Sequence, residues 1–503
     1  MKSIEKRTLE SVIAGGVLFA VTFIQSIVLV PLFLQYWGGE RYGVWLTLYG
    51  FVMLMRSLDA GHQTYVGNEF NKMFHIDKAK AQQILGSSVK VAFLLGGAEL
   101  LIYLLIIFFG QHKRFVGFDL ENYPVSTGII AFLLMWLLVG SVGGILVRVI
   151  LPMGAYAKSV YLNIGIKVAE TVCIAVCVIF NTSINTLSIC IALCWLFYTL
   201  YLFAFVKKLM PDFYPWWIGG NWSLGIKNLT KSTAFTFNNF VEQFNSNGVL
   251  IAVSSIVGVE KVPAFSTIRT LTNVFSQATS IVLNPLVPDL IRFHFTNQKE
   301  KLIDLITTNW FVGALLINFP IMLITPMIKS LFFWWTNGSV PFDSGLFYTL
   351  SFSVALLNHG KIFVLFFTCI NQLQVITAIT TCRFLVLIIV GTAFLTKWGL
   401  HSIGWAFLVS EILASICLPF FFFFRKGQFQ VFNISKVITF SLPTLLLGFF
   451  FIAAFYFESD IWYLLTASVI INIGLSFLLW HCLSSSVKDR LLMNKIKIPW
   501  FTK

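Results

Sequence analysis

The sequence predicts an all-α polytopic membrane protein: about fourteen spans, in two six-helix lobes followed by two further helices. Three observations lead there. They are the composition, the succession of long apolar runs, and the lopsided placement of Lys and Arg. Of 503 residues, 57% are hydrophobic and 11% charged, and the mean hydropathy is +0.84. Soluble domains average roughly 45–50% apolar and about 25% charged, so this chain could not cover its surface with polar groups in water. A soluble enzyme, a disordered regulator and a coiled coil are excluded.

The apolar runs, taken in order, fall at 11–35, 43–60, 84–110, 126–150, 159–181, 186–206, 231–256, 263–290, 302–329, 343–370, 374–397, 402–424, 437–457 and 461–481. Each approaches the roughly 20 apolar residues that a bilayer crossing needs. The first is too long for a cleavable signal and lacks a small-residue cleavage site, so it reads as the first span. An even count puts both termini on one side. With the N-terminus cytoplasmic, 22 Lys and Arg fall in inside segments and 6 in outside loops. That bias fixes the orientation, with both termini cytoplasmic. The net charge of +14 is then a positive-inside signature, and no nucleic-acid partner is expected.

The pieces between spans are short, the longest (207–230 and 482–503) too small for a domain with its own core. There is no GxxxxGK[ST] and no HExxH. ATP-driven transport by this chain is therefore excluded, and it is not read as an enzyme. No cofactor and no metal are expected. Glu458–Ser459–Asp460 reads as a solvated turn. Cys173/Cys177 and Cys190/Cys194 stand at helical i,i+4 spacing without a His or an acid beside them, so they read as small packing residues.

A short repeat organises the chain. Gly38–Gly39–Glu40–Arg41–Tyr42 follows span one, and Gly258–Val259–Glu260–Lys261–Val262 follows span seven. Both are outer turns, and both join the first two helices of a block. The expected domains are 1–230 and 231–436, each a six-helix lobe around a central cavity, with 437–503 supplying two more helices and a basic tail. Transporters built from such repeats hold substrate near the midplane.

The region 28–72 carries a resemblance. The outer turn Gly39, Glu40, Tyr42, Gly43, Trp45 precedes an apolar helix that ends in Asp59 and Gly61. This pattern resembles the opening of Wzx-type lipid-linked oligosaccharide flippases. Their superfamily also holds the multidrug-and-toxin-extrusion (MATE) antiporters and the peptidoglycan-precursor flippase. The likeness continues more weakly over 231–290, where Pro285 and Pro288 end the eighth span. His62 departs from it, standing where a small or apolar residue is expected. The resemblance implies a MATE-like fold and an inside-to-outside flippase for an undecaprenyl-diphosphate-linked sugar unit of O-antigen, capsule or exopolysaccharide. A glycan polymerase and a chain-length regulator would be the partners, beside membrane lipids.

A charge inside a span normally faces a cavity or a partner. Arg56/Asp59 and Lys167/Glu170 are i,i+3 pairs that neutralise each other. Lys90 and Arg148 lie near cytoplasmic ends and snorkel. Arg269, Lys361 and Arg383 have no acid at helical spacing. They are the first candidates for the diphosphate, since Arg offers a bidentate fork and Lys a point charge. Asn273 and Gln277 extend a polar stripe from Arg269 through Ser280 and Asn284, suited to sugar hydroxyls. Arg56, Arg148 and Lys167 are second candidates. A second stripe, Asn238, Glu242 and Asn245, offers Glu242 for ion coupling, with Asp59 as the other acid. Asn358–His359–Gly360–Lys361 reads as a helix break in span ten. Two alternatives stand beside the flippase: a MATE-like cation antiporter, which would favour acids in its cavity, and a membrane glycan polymerase, which would need a long outer loop.

Overall fold

The protein is described from a computed structural model. It describes residues 4–74, 76–111, 117–118, 124–153, 156–283, 293, 296, 298–369, 372–425, 434–456, 461–483 and 488. Asn284, Pro285, Pro288 and Glu458–Ser459–Asp460 lie outside the described residues. All regular structure among the described residues is helical. In chain order the helices are α1 (Ile4–Phe74), α2 (Lys78–Phe108), α3 (Ser126–Val149), α4 (Tyr156–Ile179), α5 (Ile184–Leu209), α6 (222–256), α7 (Val262–Leu283), α8 (Lys299–Thr336), α9 (Ser344–Cys369), α10 (Leu373–Trp398), α11 (400–425), α12 (Ile434–Tyr456) and α13 (Ile461–Cys482).

Eleven helices among the described residues are long and apolar enough to cross a membrane. The difference from the expected fourteen has two physical sources. The first helix, 71 residues long, is broken at Gly38 (φ 72°, ψ 173°); unbroken, at about 1.5 Å per residue, it would be several times longer than a bilayer core is thick. The polar stripes of α6 and α7 keep both helices out of the apolar set.

The chain divides into two compact units, Met1–Thr267 and Ile268–Lys503. In the first, α6 packs along α1, and the resemblance motif has a steric meaning there. A Cβ on Gly43 would lie 2.2 Å from the Val259 carbonyl oxygen, and one on Gly61 would lie 2.1 Å from the Thr236 backbone nitrogen. Both glycines are close-approach positions. The repeated turn also has a common backbone. Gly38 and Gly258 both adopt positive φ, 72° and 122°, which glycine alone enters without strain. The inner core of this unit gathers Val66, Phe70, Leu85, Ile145, Leu146 and Leu202. In the second unit Ile306, Trp310, Phe363, Phe366, Phe367 and Phe440 form the corresponding core.

The expected break in span ten is not there. α9 runs unbroken from Ser344 to Cys369 because its polar residues are satisfied sideways. Asn358 Oδ1 accepts from Thr279 Oγ1 at 2.7 Å, and its Nδ2 donates to the Val354 carbonyl at 2.7 Å. The His359 ring stacks on Trp310, centroids 4.9 Å apart, and its Nε2 lies 3.1 Å from Ser441 Oγ.

Candidate functional site

In the first unit, α1, α2, α3, α4 and α5 bring charge into a helical core. Asp59, Glu99 and Glu170 are each 1% exposed. The expected Arg56–Asp59 pair does not form. Asp59 Oδ2 accepts from the Trp136 indole at 3.1 Å and from the Ser141 hydroxyl. Oδ1 is buried without a partner. A π-helical turn, Trp136–Gly140, makes that double contact possible. In an α-helix, at about 3.6 residues per turn, positions five apart point to different faces. The i→i+5 bonding of a π turn stacks them, so Trp136 and Ser141 reach one carboxylate oxygen.

Arg56 is held by aromatic faces instead. Its guanidinium carbon lies 3.9 Å from the Trp136 ring centroid and 3.6 Å from that of Trp195. Indole offers the strongest cation–π face, worth about 2 kcal/mol or more when desolvated. Its N–H edges are hardly used: Nη1 reaches only the Met53 sulfur at 3.8 Å, and Nε is buried without an acceptor. Around it, Tyr49, Asp59, Glu170 and Glu99 interact with it electrostatically without direct contact. Both Glu99 carboxylate oxygens are buried and without hydrogen-bond partners, an expensive arrangement for an ionised group.

Lys167 does pair with Glu170, Nζ to Oε2 at 3.1 Å, and Glu170 Oε1 also accepts from Tyr49 at 3.0 Å. Arg148 lays its aliphatic stem against Gly67 and interacts electrostatically with Asp59. Lys90 donates to the Gly220 carbonyl at 2.6 Å, holding a backbone rather than snorkelling. So Arg56, Asp59, Arg148 and Lys167 belong to one electrostatic network in the first unit. Glu242 is not buried in it: α6 presents that side chain on an exposed face.

In the second unit Arg269 and Arg383 both meet α11, one turn apart. The Arg269 guanidinium lies 5.1 Å from the Phe407 ring. Arg383 has a partner that helical spacing does not report. No acid stands at helical spacing, yet Glu411 reaches it from another helix. Arg383 Nε donates to Glu411 Oε1 at 2.8 Å and Nη2 to Oε2 at 3.0 Å, with a further bond to Ser415 Oγ at 3.0 Å. The Nε and Nη2 donors of its fork are thus engaged within the unit. Lys361, Asn273 and Gln277 are partly buried. Among the described residues no cluster of His, Cys, Asp or Glu could hold a metal ion.

Sequence reasoning missed the two tryptophans and the use of Glu99. Trp136 and Trp195 are 59 residues apart and look like ordinary span aromatics. The one available signal was an Arg with a single near acid and no basic neighbour, which needs a second means of stabilisation inside a span.

No family profile and no curated protein matches the sequence. Solved structures do match in fold. A lipid II flippase MurJ in an inward closed conformation superposes with TM-score 0.64 at 14% identity, covering 96% of this chain and 100% of that one. An inward-facing MATE-family multidrug resistance transporter gives 0.63 at 15%, covering 82% and 96%. The MATE multidrug transporter DinF-BH, solved in complex with a ligand, gives 0.62 at 12%, covering 86% and 98%. The chain therefore has the all-helical fold shared by MATE transporters and MurJ.

Proposed function

We propose that this protein is a flippase that moves an undecaprenyl-diphosphate-linked oligosaccharide unit from the cytoplasmic to the outer leaflet by alternating access. The observation that carries the reading is Arg56. A guanidinium fixed by two indole faces, with its N–H edges almost unspent, is a ready receptor for diphosphate oxygens. The fold likeness to a lipid II flippase, extending over nearly the whole chain, supports a lipid-linked substrate. It also supports fourteen spans in two six-helix lobes plus a C-terminal pair, and both termini in the cytoplasm.

Arg56, Arg148 and Lys167 serve the diphosphate in the first unit, Arg269 and Lys361 in the second, with Asn273 and Gln277 on the sugars. Asp59 is the coupling acid, with Glu99 beside it. Glu242 remains a coupling candidate only through its place on the polar face of α6. A charge change on Asp59 or Glu99 alters the field at Arg56 and so its hold on an anion. A glycan polymerase and a chain-length regulator would work on the product.

The MATE-like alternative has one observation in its favour. Three buried acids and two indoles would also suit a lipophilic cation. Depleting the protein in its own cells separates the readings. The flippase reading expects single lipid-linked units to accumulate in the inner leaflet. Normal glycan export together with hypersensitivity to lipophilic cations would establish the antiporter instead.

A further inference from the structure

Four cysteines that mean little as two i,i+4 pairs come together across the α4–α5 hairpin. The two helices are consecutive, joined by residues 180–183, and packed on each other. Cys173 and Cys177 lie one turn apart on α4, Cys190 and Cys194 one turn apart on α5. Positions 173 and 194 are equally far from the turn, as are 177 and 190, so antiparallel packing sets each pair face to face. The interactions follow that register. The four thiols lie within electrostatic range of one another, Cys173 of Cys194, Cys177 and Cys190, and Cys190 of Cys177 and Cys194. All four are free thiols; Cys177 is buried and the other three are partly exposed on the unit's surface, within reach of lipid-soluble reagents.

The cluster adjoins the Arg56 cage. Cys194 is the chain neighbour of Trp195, whose ring covers Arg56. Cys173 lies one turn beyond Glu170, which binds Lys167 and Tyr49. We propose that these thiols form an oxidisable site: a disulfide closed between α4 and α5 pins the hairpin, holds Trp195 and Glu170 in place, and arrests transport. Two S–H bonds break and one S–S bond forms, and the two protons and two electrons pass to a lipid-soluble quinone, which becomes the quinol. A disulfide needs its Cα atoms about 4.4–6.8 Å apart, a separation that only facing positions of a packed hairpin reach. Reduction by a dithiol reverses the step. The arrest of transport rests on the flippase reading; the site and the pin do not.

The test uses the full-length protein in proteoliposomes, oxidised with a short-chain ubiquinone and, as a stronger oxidant, molecular iodine. Maleimide adducts counted after denaturation should fall by two of the eight cysteines, with α4 and α5 peptides recovered crosslinked and separated by dithiothreitol. Backbone hydrogen exchange in α4 and α5 should slow on oxidation, a readout that needs no substrate. Movement of lipid-linked glycan should drop at least tenfold and recover with dithiothreitol. The Cys173→Ala/Cys190→Ala variant, which leaves no facing pair, should show no crosslink and no oxidant sensitivity; Cys190→Ala/Cys194→Ala, which leaves thiols on α4 alone, serves if it folds poorly. Eight adducts retained under iodine would overturn the site. A crosslink with unchanged exchange would overturn the pin, and a crosslink with undiminished transport, or equal loss in the variants, would overturn the arrest. Absence of glycan movement in the reduced wild type would count against the flippase reading alone, while adduct counts and exchange still decide the site and the pin.

Discussion

Arg56 and Arg383 are the same residue type, each partly buried in a helical unit, and they are stabilised in opposite ways. Arg383 places Nε and Nη2 on Glu411, and Nη2 makes a third bond to Ser415. Arg56 has acids within electrostatic range but none in contact, and rests between Trp136 and Trp195. A bidentate ion pair uses the N–H edges of a guanidinium; a π sandwich uses its faces and leaves the edges for an incoming anion. On the proposed reading, the first arrangement is structural and replaceable, and the second is a binding site held ready.

The largest expected effect comes from Arg56. Arg56→Ala removes the cation from among three buried acids, and lipid-linked glycan movement should fall at least a hundredfold. Arg56→Lys should recover little of it, because an ammonium does not fill the slot between two indoles or offer a fork. Transport assays on protein that elutes as a monodisperse peak check both; near-normal transport by the Lys variant would erase the distinction between the two arginines.

Arg383 should behave the other way. Arg383→Ala strands the Glu411 carboxylate, 4% exposed, and breaking such a buried pair costs about 3–5 kcal/mol. Replacing both partners, Arg383→Met/Glu411→Leu, should restore most of the stability and most of the transport, since apolar isosteres of buried pairs are often neutral. Thermal unfolding in detergent reads the stability. A stable double variant that cannot transport would give the pair a functional role.

Arg269 sits between these cases, with an aromatic contact at 5.1 Å and a polar stripe beside it. Loss of one charge-assisted phosphate contact costs about 1.5–3 kcal/mol. Arg269→Ala should therefore weaken substrate affinity roughly ten- to hundredfold, with Arg269→Lys intermediate. Equal affinity in all three proteins would remove Arg269 from the site.

The smallest effect concerns Asp59. Asp59→Asn keeps an oxygen able to accept from Trp136 and Ser141, so unfolding temperature should shift little. The response of transport to an imposed proton or sodium gradient should nevertheless disappear. A retained gradient response would move the coupling role to Glu99 or Glu242.

The sequence made some of this readable and hid the rest for physical reasons. Helical class and the positions of most helices followed from apolar run length, because every backbone group in hydrocarbon must bond within its own segment. The Gly38 and Gly258 turns were visible as a repeat because both need positive φ. Lys167–Glu170 was legible because its partners share one helix. Arg383–Glu411 was not, since helical spacing reports only partners on the same element. The Arg56 cage stayed hidden for the same reason, and because Asp59 at i+3 looked like a sufficient partner. The thiol cluster needed the register of the α4–α5 hairpin, which two separate i,i+4 pairs do not announce.

The most direct measurement places purified protein in proteoliposomes with fluorescent undecaprenyl-diphosphate oligosaccharide. It follows the glycan's arrival in the opposite leaflet for the wild type, Arg56→Lys and Arg383→Met/Glu411→Leu. The account predicts fast movement for the wild type, near-wild-type movement for the double variant, and almost none for Arg56→Lys. Rapid movement by Arg56→Lys together with none by the double variant would contradict it.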